Sequence, residues 1–185
     1  MQPTEHSSKV MWHTTMSLDG FIADPTEQMD WVFDLDFGEG ITVAAGVERL
    51  GALLVGRRTM DVENRQQPGF YGGSYKGPFF VLSDNPPPEP PTVKGVQGTN
   101  LSVSVEDAVA IAREAAGVRD VGILGAKTAT AALQAGLVDE VVVQVAPLLL
   151  GEGIPLYRGG VHRLRLLETY RDGDLTTLRF STRLT

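Results

Sequence analysis

The sequence predicts an α/β protein with three α-β-α layers, a mostly parallel twisted sheet of about eight strands and a C-terminal antiparallel hairpin. Three observations lead to this prediction. Short apolar or β-branched runs alternate with helical patterns over residues 10–145. Two strand-like segments flank Asp172-Gly173, which is a strong hairpin signal. The 185 residues, 42% of them hydrophobic, are enough for one sizeable core.

Local features place each predicted element. Apolar residues at helical spacing indicate a helix at 41–50, and Ser104 followed by two acids is a helix start. Five prolines between residues 85 and 91 exclude a strand or helix there. We expect a flexible tail at residues 1–8 and one domain at residues 9–185. The predicted strands are 10–16, 21–23, 52–55, 79–82, 93–96, 101–103, 121–124, 141–145, 164–170 and 175–184, and the predicted helices are 41–50, 57–64, 105–116 and 127–135.

The composition excludes several function classes. A net charge of −7 argues against a sequence-independent nucleic-acid binder, which needs a basic face. The absence of cysteine excludes disulfides, thiolate metal sites and thiol catalysis, and His6, His13 and His162 form no metal set. No apolar run approaches the roughly 20 residues of a membrane helix. We therefore expect a cytoplasmic protein with no metal, no nucleic-acid partner and no membrane partner.

Two short segments share one pattern, in which an apolar run is followed by a glycine, one further residue, a cation and a threonine. The first basic turn is Gly56-Arg57-Arg58-Thr59, and the second basic turn is Gly125-Ala126-Lys127-Thr128. Cations are disfavoured at a helix N-terminus, because its exposed N–H groups already carry about half a positive charge. A bound anion would remove this conflict, and two such turns indicate a ligand with several phosphates, such as a dinucleotide. Solvated arginines at a helix start and a plain tight turn are the alternatives.

Five motifs, in this order and spacing, resemble a known family. They are Ser17-Leu18-Asp19-Gly20-Phe21-Ile22-Ala23, Val55-Gly56-Arg57-Arg58-Thr59-Met60, Val81-Leu82-Ser83, Gly136-Leu137-Val138-Asp139-Glu140 and Ala146-Pro147-Leu148-Leu149-Leu150-Gly151-Glu152-Gly153. Over residues 9–183 the chain resembles the dihydrofolate-reductase-like family typified by the reductase domain of the bifunctional riboflavin-biosynthesis deaminase-reductase. The resemblance implies an NADPH-dependent reductase, often dimeric, that acts on a pterin-like or pyrimidine substrate. We expect no deaminase activity, because the sequence contains no deaminase half.

The resemblance also assigns cofactor-binding residues. By analogy, Gly56, Arg57, Arg58 and Thr59 would hold the phosphates of NADPH, and Gly125, Ala126, Lys127 and Thr128 would hold its pyrophosphate. Ser83 would lie beside the adenosine, and Thr15–Ala23 would border the nicotinamide. The two arginines favour NADPH over NADH, since guanidinium groups suit a 2′-phosphate. The family usually has a further glycine where this chain has Ala126, and the alanine methyl group would restrict the approach of a pyrophosphate.

The proton that accompanies hydride transfer needs a source. Asp30 is the preferred catalytic candidate, because apolar neighbours bracket it and desolvation raises the pKa of a carboxyl group. Asp34 and Asp36 follow in the same loop, and water is an equal alternative. Asp19 follows the first strand, where a turn carboxylate bonded to backbone N–H groups is favoured over a catalytic acid or a residue that shapes the nicotinamide pocket.

The predicted substrate-binding residues are Trp31, Asp34, Gly151 and Glu152. Trp31 could stack on a flat heterocycle or pack in the core, and the glycine-rich loop could line the cleft or only need glycine backbone angles. The sequence thus predicts an NADPH-dependent reductase of a small heterocycle, such as 5-amino-6-(5-phosphoribosylamino)uracil or a pterin-like compound, working as a homodimer. The alternatives are a reductase of an unrelated carbonyl or imine compound and a non-catalytic NADPH-binding sensor.

Overall fold

The computed structural model describes residues 8–38, 41–66 and 68–184. Nearly all of the predicted tail at residues 1–8 lies outside these residues. The strands are β1 (Val10–Ser17), β2 (Phe21–Ala23), β3 (Leu50–Gly56), β4 (Phe79–Leu82), β5 (Thr92–Val93), β6 (Val96–Gln97), β7 (Thr99–Leu101), β8 (Asp120–Leu124), β9 (Glu140–Ala146), β10 (Ile154–Pro155), β11 (Arg165–Asp172) and β12 (Leu175–Ser181). The helices are α1 (Ile41–Arg49), α2 (Arg57–Gln66), α3 (Val105–Ala116) and α4 (Ala126–Gln134), with a 3₁₀ helix at Asp30–Asp34.

Eight strands form one sheet in the order β11-β12-β9-β1-β8-β3-β4-β7. The pairings from β9 through β1, β8, β3 and β4 to β7 are all parallel. The last hairpin adds β12 and β11 in antiparallel pairings beside β9. The predicted fold class, the number of strands in the sheet and the C-terminal hairpin are therefore confirmed.

Different helices cover the two faces of the sheet, because successive side chains along a strand point to opposite sides. On one face, Leu54 and Ile123 pack in a cluster with the alanine-rich helices α3 and α4. On the other face, the neighbouring residue Leu53 packs with Phe79 and with Met60 of α2. Burial of each large apolar side chain contributes roughly 1.5–3 kcal/mol. The two clusters hold the sheet rigidly between its helix layers.

The structure corrects a few local predictions. The segment 24–36, expected to be a loop, contains the 3₁₀ helix, and the edge strand expected at 101–103 lies at Thr99–Leu101. The two-residue strand β10, which pairs with β2, had no prediction. The positions of β7 and β10 are set by pairings with β4 and β2 that are distant in sequence, which local patterns do not encode. Within the described residues, no helix is both long enough and apolar enough to span a bilayer.

Candidate active site

The carboxyl ends of the parallel strands meet at one edge of the sheet, which is where ligands bind in sheets of this type. β3 and β8 are neighbours, with Val55 opposite Leu124, so the two basic turns that follow them lie side by side. β1 ends at the same edge at Ser17, and β4 ends there at Leu82, directly before Ser83. The fold therefore brings together the two basic turns, Ser83 and the loop after β1.

The two basic turns interlock through their glycines and threonines. A Cβ atom at Gly125 would lie 2.6 Å from Oγ1 of Thr59, and a Cβ atom at Gly56 would lie 3.0 Å from Oγ1 of Thr128. Gly125 also has a φ of +98°, which side chains with a Cβ rarely adopt. The glycine of each turn thus leaves room for the threonine of the other. The repeated Gly-x-x-Thr spacing has a packing reason in addition to any ligand.

Carboxylates hold the cations of both basic turns. These ion pairs are partly or largely exposed, so each contributes little stability. They are Arg57 Nε with Asp61 Oδ1 at 2.9 Å, Arg58 Nη2 with Glu27 Oε1 at 2.8 Å, and Lys127 Nζ with Asp84 Oδ2 at 3.4 Å. The anion that the sequence argument required is therefore supplied within the chain. Because the pairs are weak and solvent-exposed, a phosphate could replace these carboxylates at little cost.

The start of α4 differs from the start of α3. At α3, the Ser104 side chain caps the helix by accepting a hydrogen bond of 3.1 Å from Asp107 N, and Glu106 adds a second acid to the first turn. At α4, the N-cap is Gly125, no side chain caps the helix, and the first turn contains no acid. Uncapped first-turn N–H groups beside a glycine are suited to a phosphate. The residues of the second basic turn therefore fit a pyrophosphate group.

Asp19 joins the loop after β1 to the loop after β9. Its carboxylate accepts hydrogen bonds from Ser17 Oγ at 2.5 Å, from Leu150 N at 3.1 Å and from Gly151 N at 2.7 Å. The Ser17 hydroxyl, followed by these backbone donors, lowers the pKa of Asp19. A carboxylate with a lowered pKa is a poor proton donor. The geometry favours the turn interpretation of Asp19, in which it also positions Gly151.

The other predicted acid and substrate residues lie at the surface or near it. Asp30 is exposed, without the expected desolvation, and its Oδ1 accepts a hydrogen bond of 2.9 Å from Gln66 Nε2. Asp34 and Glu152 are also exposed. Trp31 is half-buried, and its indole Nε1 has no hydrogen-bond partner among the described residues. The structure does not gather these residues into one cavity.

A cavity of about 300 Å³ lies between α1 and the sheet face formed by β1, β9 and β12. We call it the α1 cavity. None of the described residues that line it is acidic, and most of its surface is apolar. Its polar lining includes His13, Arg49, Tyr71, Gln144, Thr177 and Arg179.

His13 and Tyr71 form a stacked pair in the wall of this cavity. Their ring centroids are 5.3 Å apart with an interplanar angle of 14°, and His13 Nδ1 lies 3.1 Å from the Tyr71 hydroxyl. Burial lowers the pKa of His13 to about 4 and raises the pKa of Tyr71. Both rings are therefore neutral near pH 7. Tyr71 has a φ of 54°, a conformation that is uncommon for a residue other than glycine and that often occurs at functional sites.

Sequence reasoning missed the cavity residues Gln144 and Thr177 and gave His13 no role beyond excluding a metal site. One local signal was present, since Gln144 interrupts the β-branched run of β9. Its meaning depended on the register that places Gln144 between Thr15 and Thr177 on the adjoining strands. Among the described residues, no group of three or more His, Cys, Asp or Glu side chains could hold a metal ion.

Comparisons with solved structures give the same fold. A putative riboflavin biosynthesis protein from Shewanella sp. PV-4 matches with a TM-score of 0.76 and 26% identity, covering 94% of this chain and 98% of that one. A bifunctional deaminase and 5-amino-6-(5-phosphoribosylamino)uracil reductase from Thermotoga maritima matches with a TM-score of 0.65 and 18% identity, covering 96% of this chain and 57% of that one. This chain thus spans little more than half of the bifunctional protein.

A dihydrofolate reductase from Enterococcus faecalis, complexed with NADP(H), has a TM-score of 0.62 and 14% identity, with 96% of each chain covered. At such low identity the likeness shows the fold alone. No curated protein matches the sequence.

The family model of the RibD C-terminal domain matches residues 8–178, which is nearly the whole chain. The predicted resemblance and the NADPH-dependent oxidoreductase class are thereby confirmed at the level of the family. The chain belongs to the family of the RibD C-terminal domain.

Proposed function

We propose that this chain is an NADPH-dependent reductase that transfers a hydride to a small planar heterocycle of riboflavin- or folate-type metabolism. The observation that carries the proposal is the arrangement of two sites along one strand. β1 contributes His13 to the α1 cavity and, four residues later, ends at Ser17 beside the basic turns. Four residues of a strand span about 13 Å. A dinucleotide at the sheet edge would therefore extend inward along β1 so that its nicotinamide meets a ring in the cavity, as hydride transfer requires.

The chain's own residues would bind, orient and exclude water, while bound NADPH would supply the hydride. The uncapped N–H groups of the second basic turn suit the pyrophosphate, and Arg57 and Arg58 suit the 2′-phosphate. The hydrogen bonds that the Asp19 carboxylate accepts from Leu150 N and Gly151 N would fix the loop that borders the nicotinamide. The residue assignments at this edge are part of the proposal.

We propose water as the proton source. Asp30 and Asp34 are exposed, and Asp19 is engaged in the turn, so none of the three carboxylates lines the α1 cavity. The neutral His13–Tyr71 pair can donate a hydrogen bond to the ring from Tyr71 Oη or an imidazole N–H, and thereby polarise the bond that accepts the hydride.

None of the three candidate carboxylates lines the α1 cavity, and this observation supports a second candidate function, a non-catalytic NADPH-binding sensor. A sensor needs the cofactor site and no positioned acid. An assay that monitors NADPH oxidation by absorbance, with a panel of aminopyrimidines, pterins and small carbonyl compounds, distinguishes the reductase from the sensor. Turnover of one ring compound supports the reductase, whereas tight NADPH binding without turnover of any compound supports the sensor.

We also propose a homodimer that forms through β11. This strand is an edge of the sheet, and most of its residues are exposed. Antiparallel pairing of β11 with a second copy, about a two-fold axis, can place Arg165 of each copy opposite Asp172 of the other. Sedimentation velocity of the wild-type chain tests this, since a monomer at all concentrations contradicts it.

A further inference from the structure

The wall of the α1 cavity contains a buried hydroxyl group that forms no hydrogen bond with any of the described residues. Thr177 is only 4% exposed and lines the cavity, and its Oγ1 has no hydrogen-bond partner among the described residues. Buried polar groups in native proteins nearly always have a partner, so an orphan in a cavity wall calls for an explanation. A ligand in the cavity would supply that partner.

Gln144 lies directly opposite Thr177 in the pairing of β9 with β12. Gln144 is also 4% exposed, and its Oε1 accepts a hydrogen bond of 3.1 Å from Thr15 Oγ1. That bond leaves the amide nitrogen as the donating end of the side chain. Together, Thr177 and Gln144 offer a hydroxyl that donates or accepts and an amide that donates, which suits the polar edge of a neutral ring.

The two cations that line the cavity are already paired with carboxylates. Arg49 Nη2 lies 2.7 Å from Oδ2 of the fully buried Asp120. Arg179 is held by Glu140 at 2.8 and 3.2 Å and also contacts Glu168. Every lysine and arginine of the sequence lies within the described residues, so the remaining residues add no lysine or arginine to the cavity lining. The carboxylates of these pairs offset the charge of both arginines, so a phosphate in this cavity would gain little net attraction.

The cavity is also small and mostly apolar. Its volume of about 300 Å³ is at the lower end of the roughly 300–1,000 Å³ typical of small-molecule sites. His13 and Tyr71, which complete its wall, are both neutral near pH 7. A buried anion without a cation loses its hydration and gains nothing in return.

We infer that the ring bound in the α1 cavity is uncharged and carries no phosphate, with the Thr177 hydroxyl and the Gln144 amide as its hydrogen-bonding partners. This inference rests on the proposed reductase function, and it selects among the substrates that the function allows. It favours a pterin-like or dephosphorylated aminopyrimidine ring over 5-amino-6-(5-phosphoribosylamino)uracil.

The test is calorimetric binding of two matched pairs of probes to the full chain, with and without saturating NADP⁺. One pair is 5-amino-6-ribosylaminouracil and its 5′-phosphate, and the other is 6-hydroxymethylpterin and its phosphate. The uncharged member of at least one pair is expected to bind at least about tenfold more tightly than its phosphate. Equal or tighter binding of the phosphates, or binding of none of the four probes, overturns the inference.

Two threonine variants test the contact itself. Thr177→Val keeps the shape and removes the orphan hydroxyl, so affinity for the uncharged ring should fall about three- to tenfold without a loss of thermal stability. Thr176→Val, at the exposed neighbouring position, is the matched control and should leave the affinity unchanged. An unchanged affinity in Thr177→Val overturns the assigned contact. Titration of NADP⁺ alone reports separately on the proposed function, since the ring contrast is also measured without the cofactor.

Discussion

The two regions of the proposed active site differ in how the chain builds them. The basic turns are local features, in which a glycine, cations and a threonine follow a strand within four residues, and each cation is exposed. The α1 cavity is lined by residues from six strands, a helix and a loop, and two of its polar side chains, Gln144 and Thr177, are buried. Under the proposed function, exposed cations mark the cofactor region, whereas buried neutral polar groups beside two paired arginines mark the substrate region.

The largest expected effect is at the junction of the two basic turns. Gly125→Ala would place a methyl group against Thr59 Oγ1, at a φ that disfavours a side chain. We expect NADPH affinity to fall at least about tenfold and the free energy of unfolding to fall by roughly 1–3 kcal/mol. Calorimetry and urea unfolding measure the two quantities.

Gly136→Ala is the matched control for this substitution. Gly136 also has a positive φ, of +72°, but no atom lies within 4 Å of its added Cβ. This variant should lose stability through backbone strain and keep its NADPH affinity. Equal losses of affinity in both variants would contradict a specific role for the second basic turn.

The next largest effect is a loss of folding stability at low pH, caused by His13 in the wall of the α1 cavity. The pKa of His13 is lowered from 6.5 to about 4, so between these values the unfolded chain binds more protons than the folded chain. Stability should therefore be complete above about pH 6.5 and fall as the pH drops toward 4. After allowance for partial solvent access, we expect a loss of roughly 2 kcal/mol.

Urea unfolding at several pH values checks this prediction. His13→Gln should flatten the pH dependence across that window, whereas His162→Gln, at an exposed position, should not. A pH dependence in His13→Gln that matches the wild type would show that His13 is not the buried neutral group.

A smaller effect is expected at the start of α2. Arg57→Ala and Arg58→Ala should each weaken NADPH about fivefold and NADH much less, because only NADPH carries a 2′-phosphate. Asp61→Asn should strengthen NADPH binding, since it releases Arg57 from its carboxylate partner. Arg65→Ala, in the last turn of the same helix, serves as the control. Equal losses for both cofactors would show that neither arginine recognises the 2′-phosphate.

The smallest effect is expected at the acid favoured by the sequence. Asp30 is exposed and bonded to Gln66, so Asp30→Asn should change the turnover number less than about twofold. Steady-state kinetics with the best substrate measures it. A loss of a hundredfold or more would restore Asp30 as the proton donor.

Local patterns predicted the strands of the sheet and the two basic turns, because both depend on neighbouring residues. Ser104 and the two acids after it placed the start of α3 correctly, and the repeated glycine–threonine pattern located both basic turns. The α1 cavity could not be predicted in this way. It depends on Gln144 facing Thr177, 33 positions away, through a pairing that only the folded sheet defines.

The prediction that Asp30 is desolvated was wrong, again because burial depends on the whole fold. Apolar neighbours in sequence do not bury a side chain unless the fold covers it, and here the fold leaves Asp30 in solvent. The cations of the basic turns also found carboxylate partners, Glu27 and Asp84, that lie 31 and 43 positions from them. The sequence indicated that cations at helix N-termini need a nearby anion, but it did not indicate which carboxylates supply it.

Titration of the wild-type chain with NADPH in a calorimeter tests the central claim most directly. If the interlocked basic turns form a dinucleotide site, the titration will give saturable heat, with weaker binding for NADH. The absence of heat with both nucleotides would contradict the account, because neither the uncapped start of α4 nor the exposed arginines at the start of α2 would then bind a dinucleotide.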